Sequence, residues 1–374
     1  MLEITNLRNG AVLNHNHGVE TDDCLETQIE GIADPQAVVR VNGQLAMRRD
    51  RLFSAPARLV KKINEITVAS RSKFGDFSQT VTVVWDKKSF KRCNFYIDDN
   101  IFFLTNIAKE LPRSLFDHFY LKELRAIHRR QDMKFTLNCF YRNDHFPFEM
   151  SEFPDRYKSE WRDNADWLRL SFHAYSEFPD RPYQHAEKEK LAADFDLVKN
   201  EICRFAGEET FIPPVVIHWA MAHPETFSAL KERGVRALCA GGFISSRTHV
   251  GEVVPKIPVT DIGYFYEQDV AHYMAYAREF YDRDVDMILS RGCVCCNLDT
   301  KEEIVSRLTS AATSQARSET IGIATHEQYC FKSYHNYIPD HFERIEAACR
   351  TVKELGYAPV FFANGLLGNT AWED

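Results

Sequence analysis

Polar and apolar residues alternate with a period of two through roughly the first ninety positions. "AVVRVNGQLAMR" alternates into a turn at Asn42-Gly43, and "INEITVASRSKFGDFSQTVTVVWD" contains two alternating runs around Gly75-Asp76. Alternation interrupted by such Gly-containing pairs is typical of antiparallel β-hairpins. Residues 1–88 are therefore predicted to form a small all-β sandwich.

From residue 89 onwards, short apolar runs are separated by stretches with helical periodicity. The clearest helix is "EKEKLAADFDLVKNEICRFAG", in which apolar residues recur every three or four positions and Gly207 marks the end. "PETFSALKERG" and "PDHFERIEAACRTVKELG" predict two further helices, each with a proline near its start and a glycine at its end. Strands that alternate with helices indicate an α/β domain, so residues 89–374 are predicted to form one barrel or open sheet.

Polar residues follow several of the predicted strands. They come directly after "NFYI", "DWLRLSF", "PPVVI" and "ETIGIAT", and they are Asp98 and Asp99, His173, His218, and His326 with Glu327. Because the carboxyl ends of parallel strands meet at one face, we expect these side chains to share a pocket. Two Asp and three His suit zinc or a similar divalent ion, which is the predicted cofactor. A cation would also offset the cost of two adjacent carboxylates beside a buried strand.

Composition narrows the range of partners and compartments. A formal charge of -8 and a pI near 6.0 argue against nucleic-acid binding. No apolar run reaches the roughly 18 residues of a membrane span, and "MLEITNLRNG" has no features of a signal peptide. The ten cysteines lack a disulfide-framework spacing, and "RGCVCCNLDT" is interpreted as a buried strand. These features favour a cytoplasmic location, although a mature secreted chain without its leader would have the same N-terminus.

Three segments carry a resemblance to a known family. "FYIDDN", "LSFHAYSEFP" and "IATHEQY" resemble the metal-dependent polysaccharide deacetylases, the NodB-like carbohydrate esterases, over roughly residues 91 to 365. The resemblance implies a distorted seven-stranded (β/α) barrel. In addition, "VRVNG" followed by "LFSAPARLVKKINEITVAS" resembles the bacterial immunoglobulin-like modules that precede carbohydrate-active domains.

The resemblance also implies roles for individual residues. Asp98 matches the catalytic base, Asp99 and His173 match metal ligands, and His326 matches the late catalytic histidine. The implied reaction removes an acetyl or other acyl group from a sugar or a related amide or ester. In that reaction the metal polarises the carbonyl and holds the attacking water.

The chain departs from the family pattern at the remaining metal ligand. The family has a second histidine four residues after the first, but this position is Glu177 here. His185, Glu177 and Asp180 are the candidates for this ligand, and His185 is favoured because a His/His/Asp set is the family norm. The strand in which the family has an Arg-x-Pro-Tyr motif reads "VVIHWAMAHP" here and offers His218 and Trp219 instead.

Two other functions fit the same residues. A glycoside hydrolase would use Asp98 or Asp99 together with Glu327 as its pair of carboxylates. A carbohydrate-binding protein that has lost the reaction is the second alternative. Both would bind sugar through the long aromatic segment 140–167, where Tyr141, Trp161 and Trp167 could stack on sugar rings.

Overall fold

The structure is a computed structural model that describes residues 1–240, 242–243, 259–260, 268–314 and 318–373. The chain forms two compact units. The first comprises Met1–Phe90, Glu279–Ile288 and Asn369–Asp374, and the second comprises Lys91–Arg278 and Leu289–Gly368. The main boundary between the two units lies between Phe90 and Lys91, two residues after the predicted boundary. The sequence pattern did not reveal that two later segments return to the first unit.

The first unit contains two five-stranded sheets. One has the order β1-β4-β8-β7 with β3 paired to β4, and the other has the order β2-β10-β9-β5-β6. The strands are β1 (Leu2–Ile4), β2 (Ala11–Leu13), β3 (Gly18–Glu20), β4 (Leu25–Ala33), β5 (Val38–Val41), β6 (Gln44–Leu45), β7 (Met47–Arg49), β8 (Leu52–Leu59), β9 (Ile63–Ser72) and β10 (Gly75–Trp85).

The alternation predicted for this unit corresponds to one buried and one exposed sheet face. Along β4 every second residue is buried, starting with Leu25, and the partner strand β8 alternates in the same way. The turn between β5 and β6 contains Asn42 and Gly43, both with positive φ, as a tight hairpin requires. The two sheets agree with the predicted all-β part, and its immunoglobulin-like topology stays a prediction.

The second unit is built on a parallel sheet. Its strand order is β13-β12-β11-β20-β19, with β21 also paired to β11. All nine residues of the central strand are buried, as expected for a strand covered on both faces. The remaining strands in the described part of the chain are β11 (Arg92–Asn100), β12 (Phe135–Phe140), β13 (Leu168–Ala174), β14 (Ala237–Ala240), β15 (Gly242–Phe243), β16 (Val259–Thr260), β17 (Glu279–Asp282), β18 (Met287–Arg291), β19 (Val294–Cys295), β20 (Thr320–His326) and β21 (Ala358–Pro359); of these, β17 and the first residues of β18 belong to the first unit.

The parallel α/β architecture was predicted, but the distorted seven-stranded barrel is not shown. Within the described residues this sheet has six strands and does not close on itself. The two-stranded sheet of β15 and β16 is separate from it. The observed fold is therefore a mixed α/β structure with several sheets.

Eight α-helices accompany the strands in the described part of the chain. The predicted helix ending at Gly207 is confirmed as α4, and it buries Leu191, Phe195, Val198 and Ile202 as its periodicity requires. No helix among the described residues has the length and apolar character needed to cross a membrane. The helices are α1 (Phe102–Glu110), α2 (Phe119–Gln131), α3 (Lys158–Asp163), α4 (Lys188–Ala206), α5 (Phe227–Glu232), α6 (Gln268–Ala277), α7 (Lys301–Thr313) and α8 (His341–Glu354).

Candidate functional site

The Asp pair lies on an irregular end of β11. Ile97 pairs with Leu137 of β12 and Asn100 pairs with Cys139, so β11 has one residue more than its partner over this stretch. Asp99 has a φ of 61°, a left-handed conformation that Asp tolerates better than most residues. Such a bulge changes the direction of side chains, which would alternate between the two faces in a regular strand.

A second bulge positions His173 at the end of β13. Cys139 of β12 pairs with Phe172 and Phe140 pairs with Ala174, which leaves His173 as the additional residue. Both irregularities occur against the same strand, β12. The sheet therefore directs His173 and Asp99 from opposite sides of β12 towards each other, and their side chains meet at 3.1 Å between Nε2 and Oδ1.

His218 reaches the same place from a tight turn. It begins a short 3-10 helix in which Trp219 and Ala220 both have positive φ. Two consecutive residues in this conformation store backbone strain, which is a common feature of functional sites. The turn places His218 Nδ1 3.4 Å from Asp99 Oδ1 and 3.1 Å from His173 Nε2.

Asp99, His173 and His218 form the candidate metal centre. One ligand atom from each lies within 4.8 Å of the other two, and all three residues are buried. An Asp/His/His set is a ligand combination that zinc and similar divalent ions use. Among the described residues it is the group of potential metal ligands that meets this distance criterion.

The hydrogen bonds around His218 favour a metal-binding tautomer. His218 Nε2 lies 3.0 Å from the backbone carbonyl oxygen of Glu177, which can only accept a hydrogen bond. Nε2 therefore donates its proton to this oxygen, and in the neutral ring Nδ1 carries a lone pair directed at Asp99 and His173. A backbone carbonyl that fixes the tautomer of a histidine is a common partner of metal ligands.

The residues present fit a divalent cation. The Asp99 carboxylate oxygen and His218 Nδ1 are both acceptors that point towards His173 Nε2. A cation at their common point would satisfy all three atoms. His173 Nδ1 is buried without a hydrogen-bond partner, and its nearest acidic oxygen is Asp98 Oδ1 at 3.9 Å. With a metal on Nε2, the proton of His173 would reside on Nδ1 and face Asp98.

Asp98 is held next to this cluster by an asparagine. Asn138 Nδ2 donates a hydrogen bond of 2.7 Å to Asp98 Oδ1, and both residues are buried. Burial raises the pKa of Asp98 above its ordinary value, although His173 and His326 act in the opposite direction. Asp98 is thus a fixed, desolvated carboxyl group beside the candidate metal centre.

Asp99 and His326 are shifted towards their charged forms. Burial raises the pKa of Asp99, but the nearby His326 and the hydrogen bond from His173 act against it, and the pKa is held well below the ordinary value. Burial lowers the pKa of His326, and the nearby Asp99, Cys295 and Asp98 reverse this and raise it to about 10. His326 Nδ1 also lies 2.9 Å from Asn297 Oδ1.

Glu327 has a structural role at this end of the sheet. Its carboxylate accepts hydrogen bonds of 2.6 to 2.9 Å from the backbone N–H groups of Ile101, Phe102 and Phe103. These are the unpaired donors at the start of α1, where a carboxylate is favoured. Burial raises the pKa of Glu327 to about 8, and the same three donors act against that rise. Both oxygens are engaged, so Glu327 is not the second glycosidase carboxylate that the sequence predicted.

The structure does not bring His185, the predicted third ligand, into the centre. His185 is exposed in the segment before α4, whereas the three clustered residues are buried. His218, predicted only as an auxiliary residue, occupies the third position. Trp219 follows it, next to the Arg181 guanidinium at 5.2 Å from the ring centre.

The main chain of Glu177 lies beside the candidate metal centre, because its carbonyl oxygen contacts His218. Its carboxylate is 2.6 Å from His145 Nε2 and accepts a hydrogen bond of 2.8 Å from Gln328 Nε2. The predicted sugar-binding rings are corrected. Trp161 and Trp167 are buried, and Tyr141 is buried against Tyr175, so none of them presents a face to a ligand.

Two asparagines of the site were missed from the sequence. Asn138 and Asn297 hold Asp98 and His326, respectively. The available signal was a single amide inside an apolar run, in "FTLNCF" for Asn138 and "CVCCNLD" for Asn297. A buried amide requires hydrogen-bond partners, but the sequence does not indicate which residues provide them.

Comparisons with known proteins give only remote similarities. No protein-family model matches the chain, and no curated protein matches it. The crystal structure of a 4-alpha-glucanotransferase from Thermococcus litoralis is similar with 12% identity and a TM-score of 0.41, covering 71% of this chain and 38% of that chain. A Bacteroides ovatus GH5 xyloglucanase in complex with a XXXG heptasaccharide has 9% identity, coverage of 94% and 100%, and a TM-score of 0.28. A family 123 glycoside hydrolase from Clostridium perfringens has 9% identity, coverage of 84% and 68%, and a TM-score of 0.22.

These comparisons contradict the predicted deacetylase. The similar structures are those of a glucanotransferase, a xyloglucanase and a glycoside hydrolase, and no family model, NodB-like or other, matches the chain. The ligand geometry also departs from the resemblance, because His218 and not a histidine four residues after His173 completes the cluster. The acyl-hydrolase prediction is therefore wrong. With every one of these TM-scores below 0.5, the similarities do not by themselves assign an activity to this chain.

Proposed function

We propose that the second unit hydrolyses glycosidic bonds in a carbohydrate and uses a divalent metal ion, zinc or a similar ion, held by Asp99, His173 and His218. The observation that carries this proposal is the convergence of the three ligand atoms with Asp98 directly beside them. Asp99 and His173 lie at the carboxyl ends of the parallel strands β11 and β13, where the active sites of α/β proteins are found, and His218 joins them from a 3-10 turn.

Two carboxyl groups are assigned to the reaction, as glycoside hydrolysis generally requires. Asp98 is one of them, since Asn138 fixes one of its oxygens next to the metal ligands. Glu177 is the other, because its main chain contacts His218 and its side chain is partly accessible, with 17% exposed. Glu177 replaces Glu327 in the pair, since Glu327 binds the start of α1.

A carbohydrate substrate is supported by exposed aromatic rings near Glu177. The His145 ring, bound to the Glu177 carboxylate, lies 6.3 Å from the ring of Phe178. Phe178 is 52% exposed, and Phe146, a neighbour of His145 in sequence, is 41% exposed. Flat apolar rings beside carboxylates are suited to the apolar faces of sugars.

Each group at the site has a separate role in the proposed reaction. When bound, the metal ion would orient sugar hydroxyl groups and stabilise negative charge on oxygen. Glu177 fixes the tautomer of His218 through its carbonyl group, and Asn138 fixes the Asp98 carboxyl group. Asp98 and Glu177 transfer the protons of the reaction. One of the two carboxyl groups donates a proton to the glycosidic oxygen, and the other takes a proton from the attacking water. His326, held by Asn297, contributes positive charge on the other side of the Asp pair.

Release of reducing ends from a panel of oligosaccharides and aryl glycosides tests the reaction. Asp98→Asn and Glu177→Gln are each expected to lower the rate about 100-fold or more, which is the usual contribution of an acid or base group. The exposed Glu208→Gln provides a matched control that should retain the wild-type rate. The glycosidase assignment would be refuted if the protein binds sugar without turnover, or if it releases a carboxylic acid from an acylated sugar without producing new reducing ends.

Metal analysis tests the cofactor separately. The purified protein is expected to contain about one divalent ion per chain, and Asp99→Asn or His218→Ala should lose it while circular dichroism shows a retained fold. His185→Ala is the control, because this exposed histidine lies outside the cluster and its loss should leave the metal content unchanged. Equal metal content in all variants would eliminate the assigned ligands.

A further inference from the structure

A polar cavity lies in the second unit, away from the candidate metal centre. Its volume is about 350 Å³, and its lining includes three arginines, Arg278, Arg291 and Arg307, together with Ser306 and Ser310. The two serines are exposed and one helical turn apart on α7, so both hydroxyl groups face the same space. None of these residues has a role in the proposed hydrolysis.

The arginines are anchored by the fold. Arg278 is only 3% exposed, and its Nη1 donates a 2.8 Å hydrogen bond to the carbonyl oxygen of Thr320. Arg291 Nη1 donates to the carbonyl oxygen of Ala275 at 3.1 Å. A guanidinium group has five N–H donors, so the bond from Arg278 to Thr320 fixes its position without using its whole donor capacity.

The charged side chains that line this cavity are all arginines, in a chain whose formal charge is -8. Asp299 pairs with Arg307 at 3.3 Å, and Glu303, one helical turn before Arg307 on α7, also interacts with it, but neither carboxylate lines the cavity. Anchored arginines with adjacent hydroxyl groups are suited to a phosphate group, because the planar guanidinium can bind two oxygens at once.

The cavity is far from the reacting groups. Arg278 binds the carbonyl group of Thr320, the first residue of β20, while His326 is the last residue of that strand. At about 3.3 Å per residue the two ends of β20 are roughly 20 Å apart. A ligand in this cavity therefore occupies the opposite end of the strand from the candidate metal centre.

We propose that this cavity binds the phosphate group of a small phosphorylated molecule, with Arg278, Arg291 and Arg307 as the anionic-group receptors and Ser306 and Ser310 as hydroxyl donors. The volume of about 350 Å³ admits a phosphate together with a group of the size of a sugar ring. The inference does not depend on the glycosidase assignment, since it concerns a different part of the unit.

Isothermal titration calorimetry of the full chain at low ionic strength tests the proposal with glucose 6-phosphate, inorganic phosphate and glucose. Both phosphates are expected to bind and glucose is not. If glucose 6-phosphate binds more tightly than inorganic phosphate, the rest of the cavity holds the sugar ring. If the two bind equally, the ligand is free phosphate. Arg307 is 51% exposed, so Arg307→Gln should fold normally and weaken phosphate binding about tenfold or more.

Arg350→Gln is the matched control, because Arg350 is exposed on α8 and does not line the cavity. Its affinity for phosphate should equal that of the wild type. Ser310→Ala provides a second cavity variant with a smaller expected loss. Absence of phosphate binding by the wild type, or equal affinities of Arg307→Gln and Arg350→Gln, would overturn the proposal.

Discussion

Replacing Glu327 by alanine is expected to unfold the start of α1 and to destabilise the second unit strongly. The substitution removes the acceptor of three backbone hydrogen bonds at Ile101, Phe102 and Phe103. Each such bond contributes about 0.5–1.5 kcal/mol if the carboxyl group is neutral and about 1.5–3 kcal/mol if it is charged. Because water can reach part of the opened site, we expect a total loss of about 3–5 kcal/mol in the free energy of unfolding.

Chemical denaturation followed by fluorescence and circular dichroism measures this loss. Glu327→Gln serves as the matched variant, because it retains one acceptor oxygen and should lose less than alanine. A catalytic Glu327 would give the opposite pattern, with lost activity at an unchanged free energy of unfolding. If Glu327→Ala unfolds within about 1 kcal/mol of the wild type, the structural role assigned to this carboxylate is wrong.

Three further predictions concern single side chains. Burial lowers the pKa of His118 to about 4, so its neutral ring is the folded form; the stability that it contributes is complete above pH 6.5 and is lost as the pH falls towards 4. Between pH 7.5 and 4.5 this residue is expected to lower the free energy of unfolding by about 2–3 kcal/mol. His118→Phe should abolish this part of the pH dependence, as measured by denaturation experiments at the two pH values. Asn138→Leu should leave the metal content unchanged and lower the rate about tenfold or more, because the Asp98 carboxyl group loses its donor; loss of metal would contradict the separate roles. Phe178→Ala should raise KM for oligosaccharides several-fold at an unchanged kcat, and an unchanged KM would remove this ring from the binding surface.

The periodicity of the sequence was sufficient for α4 and for the convergence of two strand ends, but the strand predicted from "PPVVI" before His218 does not form. α4 and its buried face were predicted from the apolar spacing alone, because a regular helix is determined locally. Asp99 and His173 were expected at one site, and the parallel pairing of β11, β12 and β13 brings them together. This convergence follows from strand direction, which the alternation of strands and helices indicates.

The exact ligand set could not be predicted in this way. The bulges at Asp99 and His173 depend on registers between strands that are far apart in sequence, and no local pattern encodes them. His218 depends on a turn in which two non-glycine residues have positive φ, a conformation that local propensity disfavours. The resemblance to the deacetylase family therefore favoured His185 in place of His218.

The role of Glu327 was equally inaccessible from the sequence. It follows His326 at the end of a strand and resembles a reactive carboxylate, but its partners are backbone N–H groups more than 200 positions earlier in the chain. The return of residues 279–288 and 369–374 to the first unit is a similar case, because their partners are also distant in sequence. Long-range hydrogen bonding determines both features.

Anomalous scattering at the zinc absorption edge, from crystals grown with zinc, tests the central claim most directly. If the three residues bind zinc, one peak is expected at about 2.0–2.2 Å from Asp99 Oδ1, His173 Nε2 and His218 Nδ1, with His185 outside the coordination sphere. A peak coordinated by His185, or no peak at the three clustered residues in zinc-supplied crystals, would contradict it.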